Sequence, residues 1–237
     1  MLPLRDHLST RSPAGVNYAL IAINIAVSAL VLAGVIGGQD ASSTPPAGAF
    51  VPGQIVAHPL ASLPTLFTYM FLHASLAHLG GNLLFLWIFG DNVEDALGHA
   101  RYAALYLACG VAAALGQAAA GPHSTVPMVG ASGAISGVLA AYLLLYPSSP
   151  ITVVNPIPLM WLFWGFTMWL PAWFVIVEWF AANLWSAFHP ERGGAGGVAF
   201  VAHITGFVVG LVLLPLLRKH EPVAYERWDR LLRPRRN

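Results

Sequence analysis

The chain has 237 residues, of which 57% are hydrophobic and only 9% are charged. Because a soluble domain of this size carries roughly a quarter charged residues, the composition argues against a soluble protein and indicates one polytopic membrane domain. The formal net charge of +1 says little, and the single cysteine, Cys109, excludes an intrachain disulfide. No cysteine and histidine cluster predicts a zinc site, and we expect no metal, cofactor or nucleic-acid partner.

Six segments are apolar and long enough to form membrane-spanning helices, each of which needs about 20 residues. In chain order they are 17–37, 77–97, 100–120, 131–147, 171–188 and 199–217. The first is too long for the apolar region of a signal peptide and precedes no convincing cleavage site, so we expect an uncleaved signal anchor. The predicted organisation is an N-terminal segment 1–16, a membrane domain 17–217 and a basic C-terminal tail 218–237.

Segment 150–170 is apolar and rich in tryptophan, but Pro156, Pro158 and Gly165 interrupt it and Pro171 follows it. We expect a loop in the membrane interface, where tryptophan is favoured. A helical span at this place would be the seventh and would put the two termini on opposite sides of the membrane.

The distribution of basic residues favours six spans. With six, both termini and the loops after spans two and four are cytoplasmic, and together they hold ten of the eleven Lys and Arg residues. The outer loops hold only Arg192. We therefore expect both termini in the cytoplasm, and the compact chain favours the inner membrane of a prokaryotic cell.

Four polar side chains fall at a similar depth in this topology. Spans two, four and six all run from the outside inwards, and they carry His78 and Asn82, Ser132, and His203 near their starts. With a rise of 1.5 Å per residue, all four lie near the outer face. Polar groups inside a membrane are costly and are usually functional, so we expect them to share one water-accessible pocket.

Glycines on spans four and six predict close helix packing. Gly133 and Gly137 form one GxxxG face, and Gly206 and Gly210 form another that lies on the same side of its helix as His203. A GxxxG face alone is a weak motif, and these glycines are also compatible with packing that serves no catalytic site.

The motifs together resemble the rhomboid family of intramembrane serine proteases, over about residues 60–217. The resemblance rests on HLGGN at 78–82, GxxxExxxG at 90–98, GASG at 130–133, and AHITG at 202–206 with Gly210. It implies an all-α bundle of six membrane helices. It also implies cleavage of transmembrane protein substrates in the lipid bilayer, near the membrane surface, whereas the oligomeric state stays open.

The resemblance assigns roles that agree with the chemistry. Ser132 matches the nucleophile and His203 the general base of a dyad. His78 and Asn82 match the oxyanion-stabilising residues, and their spacing of four places them on one helix face. Some family members carry an aromatic residue at position 136 that packs on the histidine. Because this chain has Ser136 there, the sequence does not explain how His203 is oriented.

Two acidic residues and one loop complete the predictions. Glu94 is expected to hold the cytoplasmic end of span two. Glu178, the only acid deep in a predicted span, either faces the cavity or is protonated. The family resemblance suggests that substrate enters between spans two and five, and the glycine-rich loop 189–197 has the freedom to move for it.

Alternative interpretations are less well supported. Ser132 is also compatible with a packing or N-cap role, and His78 and Asn82 with interfacial or helix-bridging roles. A rhomboid-like protein that binds membrane clients without cleaving them would not need both Ser132 and His203. A transporter predicts an inverted repeat, which the sequence lacks, and no HExxH motif or pair of membrane aspartates predicts another intramembrane protease.

Overall fold

The computed structural model describes residues 1–36, 47–158, 161, 165–188 and 200–218. The loop 189–197 and nearly all of the C-terminal tail 218–237 lie outside the described residues, so the predictions made for them are untested. The helices are α1 Gly15–Leu32, α2 Pro52–Ala57, α3 Pro59–Ser62, α4 Thr65–Thr68, α5 Leu76–Phe85, α6 Asp91–Leu97, α7 His99–Ala120, α8 Ser132–Leu145, α9 Ala172–Phe188 and α10 Phe200–Leu217. A π-helical turn, Leu86–Gly90, joins α5 to α6.

A helix lies in each of the six segments predicted to span a membrane. Three described helices, α1, α7 and α10, are long and apolar enough to do so. The pair Pro59–Phe71 and Leu76–Leu97, which is bent by 80°, makes a fourth if it is counted as one span. Since α8 and α9 are shorter apolar helices, the count of six spans stays a prediction.

The fold is mostly helical, consistent with the predicted bundle of membrane helices, and it also contains a small sheet that was not predicted. Strands β1 Pro3–Asp6, β2 Pro150–Val154 and β3 Thr167–Pro171 form an antiparallel sheet in the order β1-β2-β3. The β-branched run in β2 suits a strand, and segment 150–170 therefore contains two strands rather than only an interfacial loop. Open sheet edges do not occur in hydrocarbon, so the two strands favour the prediction of six spans over one of seven.

The core is centred on α8, which packs against α7 and α10. Its residues from Gly133 to Tyr142 are all buried. A Cβ atom on Gly206 or Gly210 would overlap the backbone of Gly133 or Gly137, respectively. The backbones of α8 and α10 therefore touch directly, and this contact sets how far apart side chains at the start of these helices lie.

The end of α6 is tied to the start of α1 by an acidic side chain. The Glu94 carboxylate accepts hydrogen bonds from the backbone N–H groups of Val16 and Asn17, at 2.9 and 2.7 Å, and it also contacts His99. The first N–H groups of a helix lack partners inside that helix and favour a negative charge. Glu94 thus holds α1 against α6, at the end away from Ser132.

Candidate active site

Ser132 is the first residue of α8 and follows a glycine turn. Gly130 has a φ of 117°, which L side chains rarely adopt, and a Cβ there would lie 2.6 Å from the His78 ring. The Gly130 N–H donates to the carbonyl of Tyr69 at 2.9 Å. Glycine at 130 therefore allows the chain to turn beneath His78 and to present Ser132 at a helix N-terminus.

Ser132 and His203 are within hydrogen-bond distance. The Nε2 atom of His203 lies 2.7 Å from Oγ of Ser132. They meet because Gly206, three residues after His203, contacts the backbone of Gly133. A serine hydroxyl at this distance from an imidazole is suited to transfer its proton to the ring when it attacks a carbonyl.

The other ring nitrogen of His203 is buried. Within the described part of the chain, Nδ1 has no hydrogen-bond partner, and the residue is only 6% exposed. The described residues therefore place no carboxylate on this nitrogen.

An aromatic residue that sequence reasoning missed contacts the histidine. The indole of Trp179, on α9, packs against the imidazole of His203 with ring centroids 5.7 Å apart and planes inclined by 42°. Ser136 does not replace this contact, because its hydroxyl donates to the Ser132 carbonyl at 2.7 Å within α8. The chain has eight tryptophans, and no local pattern distinguishes this one.

His78 and Asn82 line the same side of the turn before Ser132. A Cβ atom added to Gly130 would lie 2.6 Å from the His78 ring and 3.6 Å from Nδ2, the amide nitrogen of Asn82. Nδ2 is buried and has no partner among the described residues. Buried donors are nearly always paired, so an unpaired amide beside Ser132 is unusual.

A second histidine supports His78, and sequence reasoning missed its contacts. The rings of His73 and His78 meet edge to face, with centroids 5.2 Å apart. Nδ1 of His73 lies 3.2 Å from the hydroxyl of Ser28 on α1. Ser75 caps α5 by accepting the His78 N–H at 3.1 Å, so both the backbone and the ring of His78 have neighbours that restrict them.

Glu178, the acid predicted deep in span five, forms an ion pair with the N-terminus of the chain. The Glu178 carboxylate oxygens lie 2.8 and 2.9 Å from the Met1 amino group. Across the described residues, no group of three or more His, Cys, Asp or Glu side chains is arranged to hold a metal ion.

The sequence profile of the Rhomboid domain matches residues 61–220, which include Ser132, His203, His78 and Asn82. The chain belongs to the rhomboid family. The resemblance predicted from its motifs is confirmed, and together with the apolar helices it makes the chain an integral membrane protein.

Curated relatives of this rhomboid protein come from a bacterium, from human and from a plant. It is 41% identical over 78 residues to "Rhomboid protease GluP" of Bacillus subtilis (strain 168), covering 33% of this chain and 15% of that protein. It is 31% identical over 156 residues to human "Rhomboid-related protein 3", covering 65% and 36%. Over 161 residues it is 31% identical to "Rhomboid-like protein 11, chloroplastic" of Arabidopsis thaliana, covering 64% and 51%. The chain thus spans between 15% and 51% of the length of these relatives.

Proposed function

We propose that this rhomboid protein is a serine endopeptidase that cleaves transmembrane segments of other membrane proteins, near the outer face of a prokaryotic cell membrane. The observation that carries the proposal is the 2.7 Å distance between Ser132 Oγ and His203 Nε2. In this proposal residues 17–217 form the protease domain, and both termini are cytoplasmic.

The dyad performs acyl transfer in two steps. Ser132 Oγ attacks the scissile carbonyl while His203 Nε2 accepts its proton, and the imidazolium then gives that proton to the leaving amine. A water molecule enters next, loses a proton to Nε2 and attacks the acyl-enzyme ester. The proton then returns to Ser132 Oγ, which restores the enzyme and releases the new carboxyl terminus.

The oxyanion of each tetrahedral intermediate needs donors on the far side of the carbonyl. The buried amide of Asn82, which has no partner among the described residues, supplies one. The ring of His78 and the backbone N–H of Ser132 supply the others, the latter at a helix start where amides are unpaired. Donors of this kind act strongly because they are already oriented before charge develops.

Labelling and cleavage assays on the purified protein in bilayers test the proposal. A fluorophosphonate is expected to label the wild type at Ser132, and the wild type is expected to cleave a model transmembrane substrate. Ser132→Ala and His203→Ala are expected to lose both activities. Ser136→Ala is the matched control, because it removes a hydroxyl one turn away that donates only to its own helix.

The result that would contradict the proposal is a folded wild-type protein that is neither labelled nor active. Binding of a transmembrane client by that protein, unchanged in Ser132→Ala, would instead support the non-catalytic client-binding alternative. Cleavage that persists in Ser132→Ala would show that the nucleophile is wrongly assigned.

A further inference from the structure

The orientation of His203 needs a cause beyond its hydrogen bond to Ser132. That bond holds one end of the ring, at Nε2. The other nitrogen, Nδ1, is buried without a hydrogen-bond partner among the described residues. A single hydrogen bond leaves the ring free to tilt about the bond axis, and small errors in the placement of a reacting group are costly to the rate.

Trp179 provides a surface that restricts this tilt. Its indole lies against the imidazole with ring centroids 5.7 Å apart. The indole is itself half-buried and packs on the hydrophobic core, so its own position is restricted. An aromatic neighbour in contact, here inclined by 42°, limits how far the smaller ring can tilt. The indole makes no hydrogen bond to His203, because Nδ1 has no partner among the described residues and Nε2 lies beside Ser132.

The same indole also contacts the helix that carries Asn82. Trp179 and Phe85, on α5, have ring centroids 5.5 Å apart with an interplanar angle of 49°. The start of α9 is anchored separately, since the N–H groups of Ala172 and Trp173 donate to the carbonyls of Ser149 and Pro147 at 2.8 and 2.9 Å. Trp179 therefore links α9 both to α5 and to the histidine on α10.

We propose that Trp179 is a positioning residue, whose indole holds the imidazole of His203 in the orientation that accepts the proton of Ser132. The inference rests on the proposed protease function. Because the indole also contacts Phe85, movement of α9 away from α5 would remove the support of His203. The dyad is then best aligned when α9 lies closed against α5.

The test replaces Trp179 by leucine and by phenylalanine. The matched control is Trp173→Leu, the same change on the same helix at a side chain that is 48% exposed. Three quantities are measured: kcat and KM for a transmembrane substrate, and the rate at which a small fluorophosphonate labels Ser132. The small reagent reports the reactivity of the dyad and does not require a wide passage between α5 and α9.

Trp179→Leu is expected to lower kcat and the labelling rate together, by about 10- to 100-fold, with little change in KM. Trp179→Phe keeps an aromatic face and is expected to recover most of both rates. Trp173→Leu is expected to behave as the wild type. A residue that only stabilised the fold would not separate kcat from KM in this way.

If the folded Trp179→Leu variant is labelled at the same rate as the wild type, the inference is overturned, even if cleavage of the substrate changes. Trp179 would then affect only the passage of substrate between α5 and α9. If the leucine variant unfolds, Trp179→Met replaces it, and equal labelling of the Met and Phe variants overturns the inference in the same manner. Failure of the proposed function itself looks different, since the unmodified protein would then be neither labelled nor active.

Discussion

At the scale of single residues, the candidate site depends on polar atoms that have been left without partners. Asn82 Nδ2 and His203 Nδ1 are both buried and have none among the described residues. Leaving a buried donor unpaired costs about 1–3 kcal/mol. In the proposed mechanism the amide of Asn82 recovers this cost only when a substrate oxyanion is present, which is how a donor favours the transition state over the ground state.

Asn82→Ala is expected to lower kcat by about 10²- to 10³-fold with little change in KM, as for the loss of one oxyanion donor. The measurement is steady-state cleavage of a transmembrane substrate. Asn24→Ala is the control, because Asn24 is also buried in a helix but its amide donates to the Leu20 carbonyl in that helix. Equal effects of the two substitutions would contradict an oxyanion role for Asn82.

At the scale of secondary-structure elements, two contacts hold the elements of the fold together. The first is the glycine-to-glycine contact of α8 and α10, which brings Ser132 and His203 together. The second is the tie between the N-terminal strand β1 and the helices. The carboxylate of Asp6 accepts hydrogen bonds from Asn92 on α6 at 2.6 Å and from Tyr142 on α8 at 3.1 Å. Each contact can be tested by its own substitution.

Gly206→Val is expected to lower both stability and activity. Its side chain would overlap the Gly133 carbonyl and push His203 away from Ser132, at a cost of about 1–3 kcal/mol in the free energy of unfolding. Thermal unfolding and fluorophosphonate labelling are the measurements. Gly80→Val is the control, because a Cβ on this helical glycine meets nothing within 4 Å. Unchanged melting and labelling of Gly206→Val would show that α8 and α10 do not pack through these glycines.

Asp6→Asn is expected to stabilise the protein above neutral pH. Burial, with a further contribution from the nearby Asp91, raises the pKa of Asp6 to about 7 from an ordinary 3.8. The folded state therefore binds this proton more tightly than the unfolded state does. Its contribution to stability is complete below about pH 4 and is lost as the pH rises towards and through 7.

The melting temperature measured from pH 5 to 8 tests this prediction. Asp6→Asn is expected to melt a few degrees above the wild type at pH 8, with a smaller difference at pH 5. Asp6→Ala is the companion variant, because it removes the charge but also the acceptor that Asn92 and Tyr142 use. A pH-independent difference between Asp6→Asn and the wild type would contradict the assignment.

At the scale of the whole molecule, the orientation in the membrane decides where the site opens. Six spans with cytoplasmic termini put Ser132 near the outer face, and the positive-inside rule supports that orientation. The sheet β1-β2-β3 would then lie on the cytoplasmic side, together with the contacts of Asp6 and Glu94. Among the described residues of segment 150–170 the structure has two strands, which favours six spans over seven.

Single cysteine substitutions, labelled in right-side-out and in inverted membrane vesicles, test this topology. A membrane-impermeant maleimide is expected to modify His123→Cys, in the exposed loop between α7 and α8, only in right-side-out vesicles. Thr167→Cys, on the exposed start of β3, is expected to react only in inverted vesicles. The native Cys109 is buried and serves as the unreactive background. Reaction of both positions from the same side would contradict the six-span arrangement.

Much of the molecule follows from local properties of the chain. Apolar length locates the helices of the six predicted spans to within a few residues, because it depends only on neighbours along one segment. The short helices α2, α3 and α4 were not predicted. The motifs around Ser132 and His203 predict the family, which is confirmed. The faces that carry Gly133 and Gly206 are equally local, since residues three or four apart share one side of a helix.

Other features arise only when distant segments pack. β1 pairs with β2, which lies about 150 residues later in the chain, and no pattern in residues 3–6 predicts that pairing. Trp179 contacts His203, and His73 contacts Ser28, across different elements of the fold. Such contacts depend on distances and angles between elements, which no single segment encodes.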